Sequence, residues 1–201
     1  MIDTDGRQDF AGPHTMDTTD LYRSAADAFA GQVRLIGDRW DAPTPCAGWD
    51  VRALVHHIVE EDLWTPPLYA GRTVDEVGGS IAGDLLGPDP LSAFTAAAHD
   101  AAAAVAGTGA MQRTVHLSFG DVPGAEYAMQ LAADHLVHAW DLGRALGADP
   151  DLDTAAVVAV RAWFEGTEDA YRQAGMIGPR GTVPAGAGPL RELLAMFGRQ
   201  P

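Results

Sequence analysis

Apolar side chains recur every three or four residues in four long stretches of the chain, which is the spacing of a helix with one buried face. These stretches predict helices over about residues 18–37, 51–63, 90–105 and 125–146. Further helices are predicted over about residues 152–173 and 190–197. No segment has the length and alternation of a convincing sheet strand, so the pattern predicts an all-α fold built as an elaborated antiparallel bundle.

Polar and glycine residues at the predicted helix ends agree with this assignment, because their side chains or backbone satisfy the unpaired groups of a helix terminus. The predicted caps are Thr19 or Asp20, Asp50, Asp89 and Gly147. Proline has no amide hydrogen to donate, so the second helix is expected to end near Pro66 and Pro67.

The remaining segments are predicted to be connections. Residues 66–89 are rich in Gly, Pro and Asp and suggest a long crossover, and residues 113–119 alternate apolar and polar positions but are too few for more than an extended link. Residues 1–17 are polar and interrupted by Gly and Pro, which predicts a flexible N-terminal tail. Residues 18–201 are then expected to form a single helical domain.

Composition narrows the classes of partner. Hydrophobic residues make up 47% of the 201 residues, enough to close a core, and the formal net charge is −15. Such a surface repels phosphate backbones and anionic lipids, so neither nucleic acid nor a membrane is an expected partner. Cys46 is the single cysteine, and the sequence shows neither a secretory leader nor an apolar run of about 18 residues. These features predict a cytoplasmic protein.

Candidate chemistry lies in the histidines of two predicted core helices. Asp134 and His138 are four residues apart, so both project from one helical face and could share a metal ion, although His135 could also partner His138. His56 and His57 are adjacent and point in different directions, and His57 borders the apolar stripe of its helix. An Asp–His pair at this spacing is, however, more often a surface ion pair than half of a metal site.

Three segments carry a resemblance to a known family. Residues 44–57, TPCAGWDVRALVHH, and residues 133–145, ADHLVHAWDLGRA, resemble the two metal-ligand motifs of the mycothiol-dependent maleylpyruvate isomerase N-terminal domain, part of the DinB-like superfamily. Residues 189–201 resemble the ending of short, single-domain actinobacterial members. The resemblance implies a DinB-like four-helix bundle with one divalent metal ion, usually zinc or nickel, and assigns its ligands to His57, Asp134 and His138.

Three protein ligands leave a coordination position open for an exogenous group. The leading hypothesis is a mycothiol-dependent transferase or isomerase in which a small-molecule thiol attacks a small electrophilic substrate. A metal- or small-molecule-binding module without turnover and a metal-assisted hydrolase remain alternatives, so enzyme activity stays open.

Further expectations concern neighbouring residues and assembly. Asp141 is expected to hydrogen-bond a ligand histidine, with Arg144 as its ion-pair partner. The alanine-rich third helix and the resemblance make a homodimer an expectation.

Overall fold

The computed structural model describes residues 16–201, so the predicted tail lies, for residues 1–15, outside the described residues. Met16 packs against the hydrophobic core, and the Asp17 side chain accepts a hydrogen bond from the Asp20 amide at 2.8 Å. Asp17 is therefore the N-cap of the first helix, two or three residues earlier than the predicted caps Thr19 and Asp20. Among residues 16–201, no helix combines the length and the apolar character required to cross a membrane.

The described part of the chain is mainly helical. Its helices are α1 (Thr18–Val33), α2 (Val51–Tyr69), α3 (Val74–Val77), α4 (Pro90–Val105), α5 (Gly124–Leu146), α6 (Thr154–Glu165), α7 (Glu168–Gln173) and α8 (Pro189–Met196). Short 3-10 turns at Gly78–Ser80 and Ala110–Gln112 and two strands, β1 (Thr114–Leu117) and β2 (Gly120–Pro123), complete it.

The bundle consists of α1, α2, α4 and α5. Helix α1 packs along α5 and α2 packs along α4, while α2 also meets α5 and α1 meets α4. The connection from α2 to α4 crosses the bundle and contains α3, which confirms both the predicted crossover and the all-α, DinB-like four-helix fold. The Tyr69 hydroxyl at the end of α2 donates to the Gly124 carbonyl at the start of α5 (2.7 Å), so α2 and α5 run antiparallel.

Helices α6 and α8 pack together beside α5 and bring the C-terminal residues to the bundle. The Phe164 and Phe197 rings stack with centroids 3.9 Å apart, and Phe164 is fully buried. Burying an aromatic ring contributes about 1.5–3 kcal/mol. This stack fixes the position of the residues that follow α8.

Three predicted boundaries differ from the structure. Helix α2 runs through Pro66 and Pro67 to Tyr69, and helical backbone bonding resumes where the Ala70 amide donates to the Pro66 carbonyl (3.0 Å). Helix α1 ends at Val33 rather than near residue 37. The predicted helix over 152–173 is two helices, because α6 ends at Glu165 with Gly166 as its C-cap, and α7 begins at Glu168.

Residues 113–119 are not an unpaired link. Strand β1 pairs with β2 in an antiparallel hairpin from Thr114 opposite Pro123 to Leu117 opposite Gly120. Each strand has only four residues, too few for periodicity to identify, and Gly120 adopts a φ of 137° that favours glycine at the turn.

The predicted caps Asp50, Asp89 and Gly147 are confirmed.

Candidate metal centre

The structure brings His57, Asp134 and His138 together where α2 faces α5. His57 Nε2 lies 3.0 Å from Asp134 Oδ2, and His138 Nε2 lies 3.3 Å from Asp134 Oδ1. One ligand atom from each residue falls within 4.8 Å of the others. The i, i+4 spacing on α5 places Asp134 and His138 on one face, as predicted, and the antiparallel α2 supplies His57 from across the interface.

The three groups form a coupled charge cluster. Burial alone would lower the pKa of each imidazole, but the effect of the Asp134 carboxylate is larger. It raises the pKa of His57, and it raises the pKa of His138 well above the ordinary value. Burial opposes ionisation of Asp134, yet the two histidines hold the pKa of its carboxyl well below the usual range. Asp134 is thus an anion between two imidazoles that it favours in the protonated form. A metal cation bound here would take the place of their protons.

Asp141 fixes the orientation of the His138 ring. His138 Nδ1 lies 2.9 Å from Asp141 Oδ2, and the Asp141 side chain is fully buried. Burial opposes ionisation of Asp141 too, but His138 and Arg199 lower the pKa of its carboxyl. An ionised carboxylate only accepts, so in the metal-free protein Nδ1 donates to Asp141 and Nε2 donates to Asp134, and Nε2 is the nitrogen that a metal ion beside Asp134 would bind once its hydrogen is lost. This confirms the predicted contact of Asp141 with a histidine of the candidate site, while the role of His138 as a metal ligand stays a prediction.

The chain is similar in sequence to a known protein family and to two relatives. Residues 22–143 match the family of the mycothiol maleylpyruvate isomerase N-terminal domain, which is more than half of the chain. The chain belongs to this family. Two uncharacterised proteins from two strains of Mycobacterium tuberculosis are each 34% identical to it over 149 residues, covering 71% of this chain and 75% of each relative. No solved structure matches the chain significantly.

Arg199 lies outside the region that matches the isomerase-domain family, yet it reaches the centre. Its Nε and Nη2 lie 3.2 and 2.6 Å from the two Asp141 carboxylate oxygens. The prediction that Arg144 is the ion-pair partner of Asp141 was wrong. The Arg144 guanidinium lies over the Trp140 ring, 5.9 Å from the centroid. Sequence spacing could not find Arg199, because 58 residues separate it from Asp141.

Cys46 is the second neighbour that the sequence did not place at the centre. Its Sγ lies 3.2 Å from Asp141 Oδ2, 3.4 Å from Arg199 Nη2 and 3.8 Å from His138 Nδ1. Cys46, His138 and Asp141 form a second group with metal-ligand spacing. In that group Asp141 already pairs with Arg199 and with His138 Nδ1, so a cation there would have to displace both contacts. In the group of His57, Asp134 and His138 a cation would displace the hydrogens that the two imidazoles share with Asp134, but it would leave the pair of Asp141 and Arg199 intact.

The other histidines that the sequence considered face elsewhere. His56 Nε2 lies 2.9 Å from the Gly83 carbonyl in the crossover, and His135 points into the core. His99 and His116 are near Asp100 and Asp121, and neither histidine lines the cavity at Asp134. Among the histidines of residues 16–201, His57 and His138 are the two that contact Asp134.

The centre opens into a cavity of about 640 Å³. Trp49 stands beside the two histidines, with its ring 5.1 Å from that of His57 and 5.9 Å from that of His138, and is itself 36% exposed. Glu61 lines the same cavity, and burial together with the Asp134 charge raises the pKa of its carboxyl to about 7. The centre is therefore accessible to a small molecule on one side.

Proposed function

We propose that this protein binds one divalent metal ion, zinc or nickel, through His57, Asp134 and His138, and acts as a mycothiol-dependent transferase or isomerase on a small electrophile. The observation that carries the proposal is the convergence of these three donor groups at the wall of a cavity of about 640 Å³. Membership of the isomerase-domain family supports a thiol as the co-substrate.

The donor set suits such an ion. Two imidazoles and one carboxylate form a ligand set common in catalytic zinc sites, and imidazole also suits nickel. Asp134 supplies one negative charge, so the charge of a divalent ion is only partly neutralised and an anionic ligand remains favoured. Three protein ligands on one side leave the cavity side open for that ligand.

The surrounding residues hold this arrangement in place. Asp141 keeps the Nδ1 hydrogen of His138 and so fixes which ring nitrogen faces Asp134, and Arg199 holds Asp141. Trp49 shields His57 and His138 from bulk water on one side. A histidine oriented in this way loses little freedom when it binds a ligand.

A bound divalent ion supplies a Lewis acid that lowers the pKa of a thiol, so that the thiolate is present near neutral pH. The proton that the thiol loses must leave the centre. The open side of the cavity lets this proton pass to solvent.

Calorimetry of the metal-loaded protein with mycothiol tests the proposal. In two buffers of different ionisation enthalpy, binding near neutral pH should release close to one proton, because a free thiol has a pKa of about 8.5 and is mostly protonated there. A cobalt-substituted sample should show a sulfur-to-metal charge-transfer band. The His138→Ala variant serves as the control and should show neither signal.

The absence of binding heat, proton release and charge-transfer band in the metal-loaded protein would contradict the thiol reaction. If the metal is nevertheless stoichiometric, a metal-assisted hydrolase or a binding module becomes the better description. A metal-free purified protein that also fails to take up added zinc or nickel would contradict the metal centre itself.

A further inference from the structure

The cavity extends from the candidate metal ligands along α2 and α5 to a second cluster of polar and aromatic side chains. Because the two helices are antiparallel, Glu61 on α2 and Gln130 and Tyr127 on α5 all lie on the same side of the ligands. They are about one to two helical turns from His57 and Asp134, roughly 6–10 Å along the helices. We call the cavity wall formed by Glu61, Tyr127, Gln130, Trp163 and Tyr171 the distal subsite.

Two polar groups of the distal subsite are hydrogen-bond acceptors without partners among the described residues. Residues 16–201 give the Glu61 carboxylate neither a hydrogen bond nor an ion pair. The Gln130 amide nitrogen donates to Glu126 Oε1 (3.3 Å), and the amide oxygen of Gln130 has no partner in that range. The Tyr127 hydroxyl is fully buried, so Tyr127 contributes its ring to the cavity wall.

Aromatic rings flank these acceptors. The Trp163 Nε1 hydrogen is bound by the Glu126 carboxylate at 3.1 and 3.2 Å, which fixes the indole at this end of α5. The Tyr171 ring meets the Trp163 ring at 6.2 Å, edge to face. Both rings line the cavity.

The positively charged groups of the cavity wall lie at the end that holds the candidate metal ligands. His57 and His138 face Asp134 there, and Arg199, the one arginine or lysine among the described lining residues, is paired with Asp141. Glu61, Asp134 and the adjacent Glu126 are acidic, and the whole chain carries a formal charge of −15. A desolvated carboxylate without a counter-ion is costly, as the raised pKa of Glu61 also indicates.

We propose that the distal subsite binds an ammonium group of the substrate, with Glu61 as its counter-ion and the rings of Trp163 and Tyr171 around it. A carboxylate with aromatic rings is the arrangement that recognises organic ammonium ions, and an acidic wall rejects carboxylate ligands. The inference rests on the proposed function, since it names the substrate class of the same cavity: an electrophile that carries an amine, not a dicarboxylate.

The test uses the zinc-loaded full chain and two aromatic probes of similar size. Benzyltrimethylammonium is cationic and has no lone pair to give to a metal, and benzenesulfonate is its anionic counterpart. The ammonium probe should bind measurably by calorimetry and the sulfonate should not. Glu61→Gln should weaken ammonium binding about tenfold, which corresponds to one desolvated charge contact.

Glu60→Gln is the matched control, because it removes the same charge from the adjacent residue, which does not line the cavity. It should leave ammonium binding unchanged. Equal binding of both probes by the wild-type chain, a comparison that needs no variant, would overturn the proposal, as would equal ammonium affinity in Glu61→Gln and Glu60→Gln.

Metal analysis of the same samples separates the two proposals. If the wild-type chain takes up no metal but binds the ammonium probe through Glu61, the distal subsite stands and the proposed function fails. If the metal is present and the sulfonate binds as well as the ammonium probe, the distal subsite fails and the metal centre stands.

Discussion

Helix α5 carries two neighbouring acid–histidine arrangements that differ in their access to solvent. Asp134 contacts His57 and His138 at the cavity wall, where the side chains of His57 and Asp134 are 25% and 31% exposed. The next residue, His135, lies 3.3 Å from Asp62 on α2, and these two side chains are 1% and 0% exposed. Consecutive residues of a helix point about 100° apart, so Asp134 faces the cavity while the adjacent His135 faces the core.

The core pair is closed by its surroundings. His135 Nδ1 lies 2.8 Å from the Leu131 carbonyl, and the rings of Tyr22 and Phe29 meet the imidazole edge to face. Burial alone would lower the pKa of His135, but the effect of the nearby Asp62 is larger and the pKa is raised. The pair can therefore hold a proton, but it has no path for an ion or a substrate. Acid–histidine chemistry alone does not make a functional centre, and the cavity is the feature that separates the two arrangements.

Loss of a proposed ligand should have the largest effect. His57→Ala, Asp134→Ala and His138→Ala should each reduce bound metal well below one equivalent, because two protein ligands hold a divalent ion poorly. Elemental analysis of protein purified without added metal measures the occupancy.

His99→Ala and His116→Ala are the matched controls, since neither residue lines the cavity and both variants should leave the metal in place. One full equivalent of metal in the His57 and His138 variants would place the ion elsewhere and remove the distinction between cavity and core.

Removal of the core histidine should instead affect stability. His135→Ala leaves Asp62 buried without its partner, and breaking a buried pair in this way costs about 3–5 kcal/mol. Urea unfolding of the metal-free protein measures the loss.

A double variant, Asp62→Leu with His135→Leu, removes both charges and should recover most of that stability, since apolar replacement of a buried pair is often neutral. If His135→Ala costs less than about 1 kcal/mol, the core pair is not the structural element that its burial suggests.

The sequence predicted the parts of this comparison that depend on local spacing. Asp50 as a helix cap and the shared face of Asp134 and His138 follow from positions three or four residues apart. The inward turn of His57 followed from the apolar stripe of its own helix. The family resemblance, now confirmed over residues 22–143, joined the two helices into one centre.

Contacts between distant segments could not be predicted in this way. Arg199 meets Asp141 only because the stack of Phe164 and Phe197 anchors the C-terminal segment beside α5. Cys46 reaches His138 across 92 residues of sequence. The pairing of His135 with Asp62 was also missed, because it requires knowing which faces of α2 and α5 meet.

The support of His138 by Asp141 should have an intermediate effect. Asp141→Asn keeps the side-chain shape but weakens the contact with His138 Nδ1, and loss of such outer contacts typically lowers metal affinity by about 10–100-fold. Competition with a chelator of known affinity gives the change.

Asp121→Asn is the control, because Asp121 contacts His116 with the same chemistry at 2.7 Å but on the exposed hairpin. Its metal affinity should equal that of the wild-type protein. Equal affinity in the Asp141 and Asp121 variants would mean that His138 needs no orienting partner.

The smallest effect expected is a change in the pH dependence of stability when the metal is bound. In the metal-free fold the pKa values of His57 and His138 are raised, so their contribution is fully present below about pH 6.5 and is lost as pH rises through the folded values. Glu61 acts in the same direction up to about pH 7, while the lowered pKa of Asp134 keeps its carboxylate ionised throughout. Metal-free stability should therefore fall between pH 6 and 9, by on the order of 1 kcal/mol.

A bound ion requires both histidines without their protons, so stabilisation by zinc should grow over the same range. Urea unfolding with and without zinc at several pH values measures both slopes. The core pair of Asp62 and His135 contributes equally to the two curves, so parallel curves would mean that zinc does not displace protons from the cavity histidines.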